Sequence, residues 1–404
     1  MAVLSNSFPA PSPSFLATVL LLHLSISEFG LLQEGAALGI NYGQVADNLP
    51  SPDKVVILLQ SLKVTKIRIY DTNPKVLTAF ANSGIDLTVT LANELVSQMV
   101  DPQQALQWVT TQIKPYVPAT KISGISIGNE VFTSNDTQLM TNLVPAMASI
   151  YGALVQLGLD SSVHVSTSNS LAVLVNSYPP STGSFRSDLA GLIEPMLQFL
   201  VQTSAPFWIN AYPFFAYKGN PTTVPLGYVL FEPNEGMVDP YTRLHYDNML
   251  YAQVDAVIIA MARLGFGGVE VRVSETGWPS KGDPDEYGAT MDNAESYNRN
   301  LLRRQLENEG TPLRPSQRLE VYLFALFNED MKPGPTSERN YGLYQPDGTM
   351  VYDVGLADIS TGSTSVSLAS HGSKATSVDF HRTVACIFLS ICSFIVLMRW
   401  RFLI

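Results

Sequence analysis

Two glutamates follow short apolar segments in this 404-residue chain. Glu130 lies in the segment Ile127-Gly-Asn-Glu-Val131, and Glu275 lies in Val273-Ser-Glu-Thr-Gly-Trp-Pro279. Two carboxyl groups that converge on one bond can cleave a glycoside, because one protonates the leaving oxygen while the other attacks the anomeric carbon. Taken singly, each glutamate is better explained as a salt-bridged structural residue. The chemistry therefore depends on a fold that brings the two side chains together.

Other reaction chemistries find little support in the composition. The only cysteines are Cys386 and Cys392, close to the C-terminus, and the five histidines are scattered. We therefore predict no thiolate nucleophile, no metal site and no cofactor. The formal net charge is −11, which disfavours nucleic acid as a partner, because phosphate binding requires clustered Lys and Arg. A neutral ligand fits this composition better.

The segment from residue 38 to residue 359 alternates short β-branched runs with longer stretches of helical periodicity. This pattern predicts a parallel sheet, and eight repeats in about 320 residues predict one domain that closes as a (β/α)8 TIM barrel. A doubly wound nucleotide-binding fold is the competing architecture, but Gly265-Phe-Gly-Gly268 does not continue as GxGxxG. The predicted strands end at Asn41, Tyr70, Ala92, Glu130, Asn169, Tyr212, Glu275 and Asn328.

A barrel enzyme carries its catalytic residues at the C-terminal ends of its strands. Glu130 and Glu275 would end the fourth and seventh strands, which lie across the barrel mouth from each other. The connection from Pro213 to Tyr246 is long and rich in proline and aromatic residues. We expect it to form an excursion over the mouth.

Six segments, in this order along the chain, resemble the plant endo-1,3-β-glucanases of glycoside hydrolase family 17. The resemblance implies a (β/α)8 barrel that hydrolyses 1,3-β-linked glucan with retention of configuration. It also implies that Glu130 is the proton donor and Glu275 the nucleophile. The segments are Leu38-Gly-Ile-Asn-Tyr-Gly-Gln44, Lys66-Ile-Arg-Ile-Tyr-Asp71, Gly128-Asn-Glu130, Ile209-Asn-Ala-Tyr-Pro-Phe-Phe215, Val273-Ser-Glu-Thr-Gly-Trp-Pro279 and Phe327-Asn-Glu-Asp-Met-Lys-Pro-Gly-Pro-Thr-Ser-Glu338.

Further residues are candidates for binding the substrate. Asn129 could hydrogen-bond the sugar 2-hydroxyl, a contact that strengthens in the transition state. Charged positions at Glu329, Lys332 and Glu338 match the family; they either tune the carboxyl pair and contact sugar hydroxyls, or form an ion-pair cluster that shapes the loop. Aromatic faces near strand ends could stack on pyranose rings. These are Tyr42, Tyr70, Tyr212, Phe215 and Trp278.

Both ends of the chain have the composition of processing segments. An apolar run at 15–24 predicts a signal peptide within residues 1–37, cleaved after Ser27 or Ala37. At the other end, a Ser/Thr/Gly-rich spacer at 360–377 precedes a hydrophobic propeptide at 378–404, which is the pattern of a GPI attachment signal. The attachment residue would be Ser370, Gly372 or Ser373.

A retained membrane span is the alternative for the C-terminal tail. The uncharged run 384–398 has 15 residues, or about 22 Å of helix, against a hydrocarbon core of about 30 Å. The basic residues Arg399 and Arg401 resemble a stop-transfer flank. The short run nevertheless favours the GPI anchor.

The expected protein is a monomer on the outer face of the plasma membrane or in the cell wall, with a neutral β-glucan as its substrate. Asn135 begins the only usable N-glycosylation sequon, since Pro221 follows Asn220. Three other functions remain open at this stage: a mixed-linkage 1,3;1,4-β-glucanase, a glucan transglycosylase, and an inactive protein that binds wall glucan.

Overall fold

Eight parallel strands form a closed barrel in a computed structural model that describes residues 38–355. Going round the barrel, β1 lies next to β8 and the remaining strands follow in reverse chain order back to β2. The predicted single (β/α)8 barrel is confirmed. The strands are β1 (Leu38–Tyr42), β2 (Lys66–Ile69), β3 (Asp86–Leu91), β4 (Lys121–Asn129), β5 (His164–Ser170), β6 (Phe207–Asn210), β7 (Val271–Thr276) and β8 (Val321–Leu323).

Helices of varied length follow the strands and cover the barrel. Several begin at a side chain that accepts a hydrogen bond from the backbone of the first turn, such as Asn73, Asp136 and Asn248. They are α1 (Pro52–Ser61), α2 (Pro74–Ala79), α3 (Asn93–Val96), α4 (Pro102–Gln112), α5 (Thr137–Leu157), α6 (Ala190–Thr203), α7 (Pro213–Gly219), α8 (Leu226–Val229), α9 (Met249–Arg263) and α10 (Met291–Leu306).

The helix α5 is also long and apolar enough to span a membrane by length and composition. Its buried residues recur at helical spacing, with Leu143, Met147, Ile150 and Leu154 on the covered face. A barrel helix that packs one apolar face against the core passes the same test. The structure therefore accounts for this hydropathy without a membrane.

The strand β8 is shorter than the predicted run that ended at Asn328. After Leu323 the backbone leaves regular pairing: the Phe324 N–H donates to Thr276 O at 2.7 Å, and the Ala325 N–H donates to Tyr341 O at 3.1 Å. Aromatic and β-branched residues in this run satisfied the strand pattern. They pack instead in the loop that surrounds the barrel mouth.

Register shifts interrupt the two strands that carry the glutamates. In β4 the pairing with β5 shifts between Ser126 and Asn129, and in β7 the pairing with β6 shifts between Val273 and Glu275. A β-bulge re-aims the side chains that follow it. Gly128 has φ +64°, and a Cβ there would lie 2.5 Å from Val131 Cγ2, so the turn before Glu130 requires glycine.

The connection after β6 forms the predicted excursion. It contains α7, α8 and a two-stranded hairpin of Met237–Val238 with His245–Tyr246. Lys218 at the end of α7 pairs with the buried Glu286 of the loop after β7 at 2.8 Å. Burial acts to raise the pKa of Glu286, but the hydrogen bonds from Lys218 and Ser337 lower it to about 2. Ser337 lies in the loop after β8, so these bonds to Glu286 link the loops after β6, β7 and β8.

The signal peptide, the Ser/Thr/Gly-rich spacer, the hydrophobic propeptide and the attachment residues Ser370, Gly372 and Ser373 lie outside the described residues. Those predictions therefore remain predictions.

Candidate active site

Glu130 follows β4 with its backbone in the left-handed region, at φ +55° and ψ +31°. This conformation is uncommon for a residue other than glycine and is typical of functional sites. The Glu130 N–H donates to Ser168 O on the neighbouring strand at 2.8 Å, which holds the backbone in this conformation. The side chain is half-buried, and its Oε1 accepts a hydrogen bond from Asn210 Nδ2 at 2.9 Å.

The surroundings of Glu130 favour its protonated form. Burial raises the pKa of this carboxyl group, and the negative charge of Glu275 raises it further. The hydrogen bond from Asn210 acts in the opposite direction, because it stabilises the ionised carboxylate. The net result is a raised pKa, as a general acid requires.

Glu275, in β7, is buried and accepts three hydrogen bonds from charged or phenolic donors. Arg68 Nη1 lies 2.6 Å from Oε1, Tyr70 donates to the same oxygen at 2.8 Å, and Tyr212 donates to Oε2 at 2.9 Å. A hydrogen bond from a cationic donor is short and strong. Together with the two phenol donors, it fixes the orientation of the Glu275 carboxyl group.

The two phenols remain donors over the whole physiological pH range. Burial, followed by the charge of Glu275, raises the pKa of Tyr70 and of Tyr212 well above 10. Because both hydroxyl groups stay protonated, each can hold one oxygen of Glu275 in place. The sequence predicted a stacking role for these two rings, which remains a prediction; their hydroxyl groups contact Glu275.

Arg68 connects the two glutamates through polar side chains. Its guanidinium is completely buried, and its Nη2 donates to Asn129 Oδ1 at 2.8 Å. Asn210 lies within 3.3 Å of the same oxygen and contacts Glu130, while its own carbonyl accepts from Ser274 at 2.6 Å. One continuous hydrogen-bond network thus runs from Glu275 through Arg68, Asn129 and Asn210 to Glu130.

The network brings two carboxyl groups to the mouth of the barrel: that of Glu130, whose pKa is raised, and that of Glu275, which accepts hydrogen bonds from a cation and two phenols. Such an arrangement can transfer a proton to a leaving oxygen and attack a carbon centre at the same site. Within residues 38–355, no group of three or more His, Cys, Asp or Glu side chains could hold a metal ion.

Comparison with known proteins agrees with this geometry. The model of the glycosyl hydrolases family 17 matches residues 38–356, which includes every residue that the structure describes. The chain belongs to glycosyl hydrolase family 17. It is therefore a glycosidase.

Family 17 relatives of known name cover most of the chain. It is 51% identical over 346 residues to glucan endo-1,3-beta-glucosidase 11 of Arabidopsis thaliana, covering 85% of this chain and 81% of that protein. It is 55% identical over 329 residues to glucan endo-1,3-beta-glucosidase 10 of the same plant, covering 81% and 77%. Among solved structures, the β-1,3-glucanase and pollen allergen CJP38 of Cryptomeria japonica superposes with a TM-score of 0.76 at 40% identity, covering 79% of this chain and 98% of that one.

Some residues predicted to bind substrate in this family 17 chain have another role. Tyr42 and Trp278 have no ring face open to a ligand, because they are 2% and 0% exposed. Trp278 donates to Gly288 O at 2.8 Å and its ring lies 5.3 Å from that of Phe214. We correct the prediction for both residues, since they pack in the core around the site.

Glu329 also lies away from the solvent, 4% exposed, and accepts from the Val45 N–H at 2.9 Å. This hydrogen bond holds the loop after β1 in place. Because the buried carboxyl group does not face a ligand, we correct its predicted role. Lys332 and Glu338 form an ion pair at 3.0 Å, and each remains about a quarter exposed at the mouth. Their geometry agrees with the ion-pair interpretation and leaves both within reach of a ligand.

Phe215 and Asn129 both lie close to the two glutamates, and their substrate-binding roles remain predictions. Phe215 is 49% exposed, and its ring centroid lies 5.3 Å from that of Tyr212, beside Glu275. Asn129 is half-buried between Arg68 and Asn210. Its predicted contact with a sugar hydroxyl remains a prediction. Asn135 is exposed just before α5, so a glycan could be accommodated there.

The sequence did not lead us to predict Arg68 and Asn210 as site residues, although both lie within segments that resemble family 17. Arg68 is a charged residue inside the buried strand Lys66–Ile69, and Asn210 ends the buried strand Phe207–Asn210. A charged or amide side chain on the interior of a buried strand needs a polar partner. That requirement was the signal that could have identified both.

Proposed function

We propose that this glycosidase is an endo-acting hydrolase of 1,3-β-glucosidic linkages that retains the anomeric configuration. The observation that carries the proposal is the different environment of its two glutamates: the pKa of Glu130 is raised, while Glu275 accepts from Arg68 and two tyrosines. Relatives that are about half identical are named glucan endo-1,3-beta-glucosidases. Their names support the choice of linkage.

In the first step, an oxygen of Glu275 attacks the anomeric carbon. The bond from that carbon to the leaving oxygen breaks as Glu130 transfers its proton to this oxygen. The products are a glycosyl ester on Glu275 and a shortened glucan with a free hydroxyl. Arg68, Tyr70 and Tyr212 orient the attacking carboxylate, because each donates to one of its oxygens.

In the second step, water hydrolyses the ester. Glu130, now ionised, takes a proton from the water as its oxygen attacks the anomeric carbon, and Glu275 leaves as a carboxylate. Two inversions at one carbon give net retention. A sugar hydroxyl in place of water would give transglycosylation, which remains the alternative within the same chemistry.

A neutral polysaccharide suits the surface at the barrel mouth. The exposed ring of Phe215 offers an apolar face for a pyranose, and the Lys332 and Glu338 pair offers donors and acceptors to its hydroxyl groups. Both lie beside the glutamates rather than on a separate surface.

Product analysis tests the linkage. The secreted catalytic domain should release a series of oligosaccharides from linear 1,3-β-glucan and leave 1,4-linkages intact. Preferential cleavage of mixed-linkage 1,3;1,4-β-glucan would favour that activity instead, and products longer than the starting oligomers would indicate transglycosylation. A protein that binds glucan without cleaving it would match the inactive alternative; the Glu275→Gln variant serves as the inactive reference.

We further propose that the protein is secreted and held at the outer face of the plasma membrane by a GPI anchor, as the compositions of residues 1–37 and 360–404 suggest. Phosphatidylinositol-specific phospholipase C should release it from membranes of intact cells. A protein that stays bound and still contains the peptide 384–398 would be held by a membrane span.

A further inference from the structure

Tyr341 lies in the loop after β8, and its ring is 3% exposed. Its hydroxyl group has no hydrogen-bond partner in the part of the chain that the structure describes, although it is buried. A buried hydroxyl without a partner destabilises a fold, so polar bonding does not explain the position of this side chain. The contacts of the ring must therefore explain the position of the Tyr341 side chain.

The ring of Tyr341 packs against the residues that hold the nucleophile. Its centroid lies 5.8 Å from that of Tyr212 at an interplanar angle of 70°, and 5.4 Å from that of Phe324 at 68°. Phe324 in turn makes edge contacts with Tyr212 and with Tyr70, at 6.3 Å in each case. Edge-to-face contacts of this kind fix the orientation of aromatic rings.

The backbone fixes Tyr341 as firmly as its ring does. Its carbonyl accepts from the Ala325 N–H at 3.1 Å, and the next residue, Gly342, donates its N–H to Asn328 Oδ1 at 2.8 Å. A Cβ on Gly342 would lie 2.0 Å from Asn328 N, so the loop approaches the segment that follows β8 as closely as a glycine permits. The ring is therefore a rigid support.

We propose that Tyr341 is a positioning residue for the nucleophile: its ring holds the Tyr212 ring so that the Tyr212 hydroxyl donates to Glu275 Oε2. The proposal rests on the proposed function, in which Glu275 attacks the sugar. Tyr341 acts on Glu275 indirectly, through its ring contacts with Tyr212 and Phe324. The role belongs to the ring and not to its hydroxyl group.

A double-mutant cycle tests this role. Tyr341→Leu should lower kcat on linear 1,3-β-glucan about tenfold with little change in KM, because the Tyr212 hydroxyl loses its alignment. In a Tyr212→Phe background the same substitution should cost much less kcat, since the hydroxyl that Tyr341 positions directly is already absent and only the contact through Phe324 to Tyr70 remains. Tyr341→Phe, which keeps the ring, should restore most of the lost kcat.

The control is Tyr251→Leu in α9. Tyr251 is also a buried tyrosine, 2% exposed, and its ring packs on Phe231 away from the two glutamates. This variant should lower the melting temperature and leave kcat close to that of the wild type. Circular dichroism and the melting temperature establish that each variant is folded.

An equal loss of kcat from Tyr341→Leu in the wild-type and Tyr212→Phe backgrounds would overturn the proposal, because it would show a general structural role. No loss in the wild-type background would overturn it as well. Failure of the wild type on 1,3-β-glucan would instead contradict the proposed function. The cycle would then be measured on the β-glucan that the wild type does cleave, since the support of Glu275 does not depend on linkage.

Discussion

Arg68 and Glu275 form an ion pair at the mouth of the barrel, with 2.6 Å between Nη1 and Oε1 and the guanidinium completely buried. Burial acts to lower the pKa of Arg68, but the neighbouring ionisable groups of Tyr70 and Glu275 raise it overall. The cation therefore stays charged beside Glu275, and its Nη2 donates to Asn129 Oδ1.

Replacement of Arg68 by methionine should damage both activity and stability. The substitution leaves the Glu275 carboxylate buried without its cation, and breaking a buried pair in this way costs about 3–5 kcal/mol. We expect kcat on 1,3-β-glucan to fall more than about 100-fold, as for removal of other preorganised charges at active sites, together with a lower melting temperature. Arg272→Met is the control: it breaks pairs with Glu270 and Glu320 outside the site, so stability should fall while kcat is retained. Comparable loss of kcat in both variants would contradict the account.

Replacement of Glu130 by glutamine should affect substrates according to their leaving groups. The polysaccharide needs a proton on its leaving oxygen, so kcat/KM should fall by about 10²- to 10⁴-fold. An activated aryl glycoside of a short 1,3-β-linked oligomer needs little protonation, so release of its phenol should fall far less. Steady-state kinetics on both substrates measures the difference. Equal losses in a folded variant would direct the search for the acid to Glu338.

Removal of Asn210 should move the alkaline limb of the pH profile. Activity requires protonated Glu130 and is lost as the pH rises through its pKa, which burial and the charge of Glu275 raise. The Asn210 hydrogen bond opposes this shift, so Asn210→Ala should raise the pKa further and extend activity to higher pH. Asn169→Ala, whose amide donates only to the backbone of Thr167 and Trp208, should leave the limb in place. An alkaline limb that stays fixed or moves to lower pH in Asn210→Ala would be inconsistent with Glu130 as the acid.

A buried aspartate away from the site should govern part of the pH dependence of stability. Burial raises the pKa of Asp255 in α9 to about 6, although its Oδ2 accepts from the Leu313 N–H at 2.9 Å. The unfolded carboxyl ionises near pH 3.9, so this group makes the fold less stable as the pH rises from about 4 through 6, by about 3 kcal/mol in total. Asp255→Asn should flatten this part of the stability curve and raise the melting temperature above pH 6. A variant as pH-sensitive as the wild type would refute this assignment.

The barrel and its two glutamates could be predicted because they depend on local patterns. Alternating strands and helices define the fold, and the strand-end rule places Glu130 and Glu275 at its mouth. The hydrogen-bond network could not be predicted in the same way. Arg68 and Asn210 become partners of the glutamates only when β2, β4, β6 and β7 close around one interior, and bulges decide which side chains face it.

The aromatic residues show where strand-end position alone misleads. Tyr70, Tyr212 and Trp278 all follow strands, yet the first two donate hydrogen bonds to Glu275 and the third packs in the core. Stacking on a sugar and packing on a neighbouring ring require the same residue type. The difference lies in what the loops after β6, β7 and β8 cover, and contacts between distant loops leave no pattern in the sequence.

Proton NMR of the first products tests the central claim most directly. The wild type acting on linear 1,3-β-glucan should form new reducing ends as the β-anomer, before mutarotation, because Glu275 forms a covalent intermediate. Glu275→Ala should be inactive alone, and added azide should restore turnover and yield the α-glycosyl azide. Wild-type products that appear first as the α-anomer, or a Glu275→Ala variant that cleaves glucan without azide, would contradict the assignment of Glu275 as the nucleophile.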